Sequence, residues 1–301
     1  MSYLQIQNAN ASFKPDYVPV MVITGATHGI GRSIVEIFAK YQLGKAHIVL
    51  IGRNEAAAAN IIANLPAAAQ GCTYEFMYCD LKLMKNVRKL AATLLQKLPK
   101  INFLIHSAGT LYFGGRVETE EGIDEQLAVL YYSRFVLLHE LMPLLRKARD
   151  AGEKAGVLAI LGAGIAPDIV IDDLGMKKNY SGWKAMMQSA AYNDLMIAEF
   201  ASREEGIAFV HAYPGMVDTY IPGSLLMKIF VVLAKPIIML SFTKKEVCAE
   251  YMLYSLLDSK PGLSRRDSRG KDIGMEGFPP TEGARETLWE HAVKETKVNT
   301  P

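Results

Sequence analysis

Eight residues, Thr24-Gly25-Ala26-Thr27-His28-Gly29-Ile30-Gly31, stand between an apolar run, Val18 to Ile23, and a helix-like segment that begins near Arg32. A chain with that arrangement must turn sharply from a strand into a helix, and the glycines mark where. Gly25 permits the tight turn, Gly29 lets bare backbone approach an anion, and Gly31 lets the helix pack closely on the strand. The N–H groups and dipole of the helix start then face the anion, so the turn reads as a cradle for a nucleotide pyrophosphate. The spacing is TGxxxGxG rather than GxGxxG. One Gly-rich loop is weak evidence, so the rest of the chain must agree with it.

It does, because strand-like and helix-like patterns alternate along the chain. Short apolar runs lie at Val18–Thr24, His47–Ile51, Thr73–Cys79, Phe103–His106, Val157–Leu161 and Ala208–Ala212. Helical patterns separate them at Arg32–Tyr41, Glu55–Leu65, Met84–Leu98, Ile123–Arg149 and Ser181–Ser202. Such alternation predicts right-handed crossovers and an α/β fold, a single Rossmann-type doubly wound parallel sheet with helices on both faces. With 301 residues and 50% hydrophobic composition, the chain reads as one nucleotide-binding domain over 1–301 with a C-terminal extension from about 260. In such sheets the ligand lies beyond the carboxyl ends of the strands, so those ends are where chemistry is sought.

Several function classes drop out. A net charge of +2 with no Lys/Arg block carrying interleaved aromatics argues against nucleic acid. Cys72, Cys79 and Cys248 are odd in number and lack CxxC or His-paired spacing, so no metal site and no disulfide framework is expected, which fits a reducing compartment. Residues Met1 to Tyr17 lack a basic stretch followed by an apolar one, so a cytoplasmic protein is expected.

The strand ends carry the cofactor reading. Gly52-Arg53-Asn54 follows the second strand, where a carboxylate for the ribose 2′-OH would select NAD. A guanidinium there matches a 2′-phosphate, so NADP(H) is expected; the alternative is that Arg53 is a solvated charge at a helix start. His28 and Arg32 add positive potential around the phosphate loop. Asp80 either accepts from an adenine amino group or caps the next helix. His106-Ser107-Ala108-Gly109 offers small residues where backbone must pass close to the cofactor. Tyr180 and Lys184 carry the strongest chemical signal. At i and i+4 on a helix they share a face, so an ammonium beside the phenol would lower a pKa of about 10 by the roughly three units a neutral-pH base needs.

Over roughly Pro19 to Leu257 the chain resembles the short-chain dehydrogenase/reductase family, through TGATHGIG, IGRN, the Cys79–Leu81 CDL, HSAG, Tyr180-Ser181-Gly182-Trp183-Lys184 and Tyr213-Pro214-Gly215-Met216-Val217-Asp218-Thr219. Leu130-Tyr131-Tyr132-Ser133-Arg134, Asp173-Leu174-Gly175 and His211-Ala212-Tyr213-Pro214-Gly215 are similar to a fungal branch related to retinol-dehydrogenase-like reductases. The resemblance implies a cofactor site of Thr24, Gly25, Thr27, His28, Gly29, Ile30, Gly31, Arg53, Asn54, Asp80, Leu81, Ser107, Ala108, Gly109, Pro214, Gly215, Val217 and Thr219, with Tyr180 and Lys184 shared with catalysis. It implies that Tyr180 exchanges a proton with the substrate oxygen while Lys184 holds the nicotinamide ribose.

Two positions depart from the family pattern. The serine expected at the end of the fifth strand is Gly162, and neither Ser nor Thr occurs from Phe135 to Tyr180. The expected helix asparagine aligns with Leu130. Losing such a donor typically costs about 10²–10³ in rate, so a weakened enzyme or a non-catalytic NADP(H)-binding protein, a sensor or assembly partner, are the two readings. Tyr131, Tyr132, Ser107 or a substrate hydroxyl are candidate replacement donors; helix packing or a subunit contact is the other reading of those tyrosines. The apolar run from Leu225 to Leu240, inside a segment of about 219–243, is too short and too interrupted to span a membrane. It reads as a lid that touches a bilayer surface or, alternatively, as a homodimer contact. Such a lid implies a lipophilic carbonyl or alcohol substrate (a polyketide, terpenoid, steroid or retinoid-like molecule), with secondary metabolism as the setting.

Overall fold

The computed structural model describes residues 1–166, 168–218 and 242–297. The lid segment expected at about 219–243 falls almost wholly outside them, and Thr219 with it. Seven strands form one parallel sheet: β1 (Val20–Thr24), β2 (His47–Gly52), β3 (Tyr74–Tyr78), β4 (Phe103–His106), β5 (Gly156–Ile160), β6 (Ala208–Ala212) and β7 (Gly262–Arg266). Their order is β3-β2-β1-β4-β5-β6-β7, so the winding reverses between β1 and β4 and leaves a crevice at their carboxyl ends. All five residues of β1, β5 and β6 are buried, as a strand covered on both faces requires.

One face is covered by α1 (Tyr3–Ser12), α2 (Gly29–Tyr41), α3 (Glu55–Asn64) and a helix after the undescribed segment. The other carries α4 (Met84–Lys97), a composite helix, and two later helices. The expected Ile123–Arg149 helix is that composite: α5 (Glu125–Leu127), a π-helical turn (Ala128–Tyr132), then α6 (Ser133–Asp150). A π turn inserts a residue into the helical ladder and is common at functional sites. The remaining helices are α7 (Gly182–Arg203), α8 (Lys245–Asp258) and α9 (Ala284–Thr296).

Sequence reasoning missed α1, α8, α9 and β7. Helix α1 opens on a Ser2/Gln5 capping box and docks on α8, where Asn10 Nδ2 donates to Glu250 O and Oε2 at 2.9 and 2.8 Å. Strand β7 reads Gly-Leu-Ser-Arg-Arg, polar enough to hide its type; its arginines are buried because they bond inward, as described below.

Candidate active site

The glycine turn is built as a cradle. Gly25 and Gly29 have left-handed backbone, at φ +72 and +57°. A Cβ on Gly25 would lie 2.6 Å from Ala108 Cα, and one on Gly31 2.4 Å from Gly25 O, so neither position admits a side chain. Gly25 N and Ala26 N donate to Ile51 O at 2.9 and 3.3 Å, and Ser107 N to Thr24 O at 3.2 Å, which draws the ends of β1, β2 and β4 together. Helix α2 begins at Gly29 with an N-cap His28 whose side chain makes no capping bond. Uncapped N–H groups behind bare glycine backbone fit the pyrophosphate of a dinucleotide.

The neighbouring strand ends add different functions. A Cβ on Gly52 would come 3.0 Å from Thr27 Cγ2, so Arg53 emerges beside the phosphate turn, and it is exposed. Asn54 is the N-cap of α3, its Oδ1 accepting from Ala57 N at 2.9 Å. Asp80 Oδ1 accepts from Lys82 N at 3.1 Å, which gives this carboxylate its turn-forming role. Leu81 and Val217 are buried, Ile30 is half-buried, and Gly215 has φ +73° between Pro214 and the Val217–Thr243 bridge.

Tyr180 and Lys184 correct the sequence reading in two ways. Tyr180 lies outside α7, because Ser181 is extended and serves as N-cap, its Oγ accepting from Lys184 N at 3.2 Å. The four-residue spacing therefore straddles a helix start instead of one helical face. The phenol donates to Asp124 Oδ1 at 3.3 Å, and burial, then the Asp124 charge and hydrogen bond, push its pKa up, with Arg116 opposing. This is the reverse of the expected depression. Asp124 is itself buried and caps α5 through Gln126 N and Leu127 N. Gln126 completes the clamp: Nε2 donates to Gly182 O at 2.7 Å and Oε1 accepts from Tyr112 N at 2.9 Å. Lys184 instead lines a cavity of about 870 Å³ with Ile165, Val170, Trp183 and Met187, whose lining does not include Tyr180.

Gly162 is held from behind by a buried network. Its N–H donates to His211 Nε2 at 3.2 Å, which leaves the proton on Nδ1 to bond Asp194 Oδ1 at 2.6 Å. Arg265 grips Asp194 with two bonds of 2.8 Å and reaches Gly274 O and Glu276 O. Burial alone would raise the Asp194 carboxyl, but His211 and the Arg265 fork hold it below its usual value. A Cβ on Gly162 would meet Ala190 Cβ at 2.8 Å. The proposed substitute donors are elsewhere: Tyr131 is buried against Tyr192, and Tyr132 Oη is 2.7 Å from His291 Nε2. Ser107 Oγ lies by the phosphate turn, 3.1 Å from where a Gly31 Cβ would sit. The sequence reading did not single out Asp124, Asn193, Asp194 or Arg265; buried polar residues within apolar elements were the available signal.

The strand order agrees with what comparison finds. The pattern that defines short chain dehydrogenases matches residues 19–227. The chain belongs to the short chain dehydrogenase family. An oxidoreductase of Emericella nidulans is 33% identical over 218 residues, 72% of this chain and 63% of that protein. The polyprenol dehydrogenase of Homo sapiens is 28% identical over 178 residues, 59% of this chain and 53% of that protein. The match thus spans less than two thirds of either relative's length. A short chain dehydrogenase structure from Escherichia coli CFT073, complexed with NADPH, has a TM-score of 0.60 at 19% identity, covering 86% of this chain and 99% of that one, and shares the fold.

Proposed function

We propose that this short chain dehydrogenase is an NADP(H)-dependent ketone reductase or secondary alcohol dehydrogenase acting on a lipophilic small molecule. The observation that carries the cofactor half is the close approach of Gly52 to Thr27, which brings the β2 end, where Arg53 stands in place of a carboxylate and is exposed, next to the glycine turn. A guanidinium suits a 2′-phosphate by charge-assisted, bidentate bonds. The NADPH held by the Escherichia coli structure supports the same choice. The largely apolar cavity beside Lys184 supports a lipophilic substrate, as does the polyprenol named for the human relative. In reduction, the nicotinamide supplies the hydride. Tyr180 gives the proton to the substrate oxygen, and Lys184 holds the ribose. A phenol whose pKa is raised stays protonated, which suits a donor better than a base.

The test is a panel of apolar ketones and aldehydes with purified protein, following nicotinamide absorbance with NADPH and NADH. NADPH should bind more tightly than NADH, and Arg53→Ala should remove most of that gap. Tyr180→Phe should cut turnover by about 10²–10⁴ while NADPH binding survives. Equal affinity for the two cofactors sinks the cofactor assignment. One observation favours a second reading, a non-catalytic NADP(H)-binding protein: the Tyr180 phenol is bonded to Asp124 and position 162 has no hydroxyl. That reading predicts NADPH binding with no turnover on any carbonyl.

A further inference from the structure

Arg134 is a fully buried cation without an anion. Its side chain enters from the first turn of α6 and is 2% exposed. Nη2 donates to Ala108 O at 2.8 Å and Ile160 O at 3.1 Å, Nη1 donates to Asn193 Oδ1 at 3.2 Å, and Nε has no protein partner. Every acceptor is neutral. Among the described residues no carboxylate pairs with it, and positions 167, 219–241 and 298–301 contain no Asp or Glu. Burial lowers its pKa to about 9, so it stays charged at neutral pH. His106, at the end of β4, is buried and held neutral, by burial first and then by the Arg134 charge, so it adds no second cation.

A buried charge is costly, and neutral donors such as glutamine could bond carbonyls without it. The charge therefore points to something other than folding. Its position says what. Ala108 follows β4 and Ile160 ends β5, on the far side of the winding reversal from Arg53 and β2. A dinucleotide across the crevice, held by the α2 start at its pyrophosphate and by Arg53 at its 2′-phosphate, would have its nicotinamide half on the β4–β5 side. Asn193 adds a brace, since its Nδ2 donates to Leu130 O at 2.8 Å in the π turn, and Leu130 Cδ2 lies 3.9 Å from where a Gly109 Cβ would be. The oxidised nicotinamide ring carries a positive charge and the reduced ring does not.

Building on the NADP(H) reading above, we propose that Arg134 is a specificity-determining residue for cofactor oxidation state: its uncompensated charge disfavours NADP⁺ relative to NADPH and so biases the protein towards carbonyl reduction. In that direction the carbonyl carbon accepts a hydride with its electron pair, the C–O π pair collects on oxygen, and the Tyr180 proton completes the alcohol. A bound NADPH would supply that hydride with its two electrons and would be left as NADP⁺. A like charge behind the nicotinamide subsite favours the departure of NADP⁺.

The experiment measures dissociation constants of NADPH, NADP⁺ and adenosine 2′,5′-bisphosphate for wild type, Arg134→Lys, Arg134→Gln and Arg134→Met, with melting temperatures beside them. Wild type should prefer NADPH to NADP⁺ by about tenfold, the size of one screened charge–charge interaction. Arg134→Gln and Arg134→Met should reduce the ratio by about three- to tenfold, and Arg134→Lys should keep most of it. Affinity for the bisphosphate, which has no nicotinamide, should not change. An unchanged NADP⁺/NADPH ratio in Arg134→Gln overturns the proposal, as does a loss shared by all three ligands. Wild-type protein that binds none of them overturns the cofactor reading itself, a separate result.

Discussion

Burial and the Asp124 carboxylate together set how firmly Tyr180 keeps its proton. The carboxylate accepts the phenol's hydrogen bond and repels the phenolate, so both effects favour the neutral form. A group whose folded pKa is raised stays protonated until pH passes that value. Reduction, which needs the protonated phenol, should therefore persist well into alkaline pH, and oxidation, which needs the phenolate, should be slow at neutrality. Asp124→Asn removes the charge but keeps an N-cap oxygen for Gln126 N and Leu127 N. The alkaline fall of kcat/KM for reduction should move to lower pH in that variant, and oxidation should begin at lower pH. A profile that stays in place would mean that Asp124 leaves the phenol when ligands bind. The sequence displayed Tyr180 and Lys184 plainly; the sign of the tyrosine shift was illegible, because it comes from burial in the folded chain and from a carboxylate 56 residues earlier.

At the scale of elements, α7 and the end of β5 have closed on each other around Gly162. A serine there would place its Cβ 2.8 Å from Ala190 Cβ and 3.1 Å from Ile165 Cγ1. Ala190 is fixed to the middle of α7 and has no rotamer to escape through. Gly162→Ser should therefore destabilise by about 1–3 kcal/mol, the usual range for overpacking, and should not restore the activity that a serine donor would supply. Ala190→Gly removes the clash at a helix cost of about 1 kcal/mol. The double variant should melt higher than the two single effects summed, as coupled neighbours do. A Gly162→Ser protein as stable as wild type would show that the contact relaxes freely. Element types were largely readable from sequence: β1 to β6 and the helices between them follow period-2 and 3.6 patterns or buried apolar runs. What escaped was set by tertiary contact. The Ser-Arg-Arg end of β7 looks like surface until Arg265 is seen to pair with Asp194, and the π turn at Ala128–Tyr132 leaves no mark in hydrophobic spacing.

Across the whole molecule, the sheet buries a charged Arg134 and a neutral His106 on adjacent parts of one core, and this makes stability depend on pH. His106 is fully buried, neither ring nitrogen has a protein partner, and burial followed by the Arg134 charge lowers its pKa to about 3. The unfolded chain should titrate it near the ordinary value of about 6.5. Above that pH the imidazole is neutral in both states and contributes no slope. As pH falls from about 6.5 towards 3, the unfolded state takes up a proton that the folded state refuses, so stability drops by up to about 1.4 kcal/mol per pH unit. His106→Phe puts a slightly larger apolar ring in the same place and removes the titration. The urea-unfolding stabilities of the two proteins should therefore diverge on acidification, with the wild type losing stability by close to one proton more between pH 6 and 4. His139 and His291, also lowered by burial, remain in both proteins and cancel in the difference. Near pH 7.5 the variant should be at least as stable as wild type, because two unpartnered nitrogens have left the core. Parallel stability curves would show that His106 takes a proton in the folded state, and Arg134 would then have to share its site with a second cation.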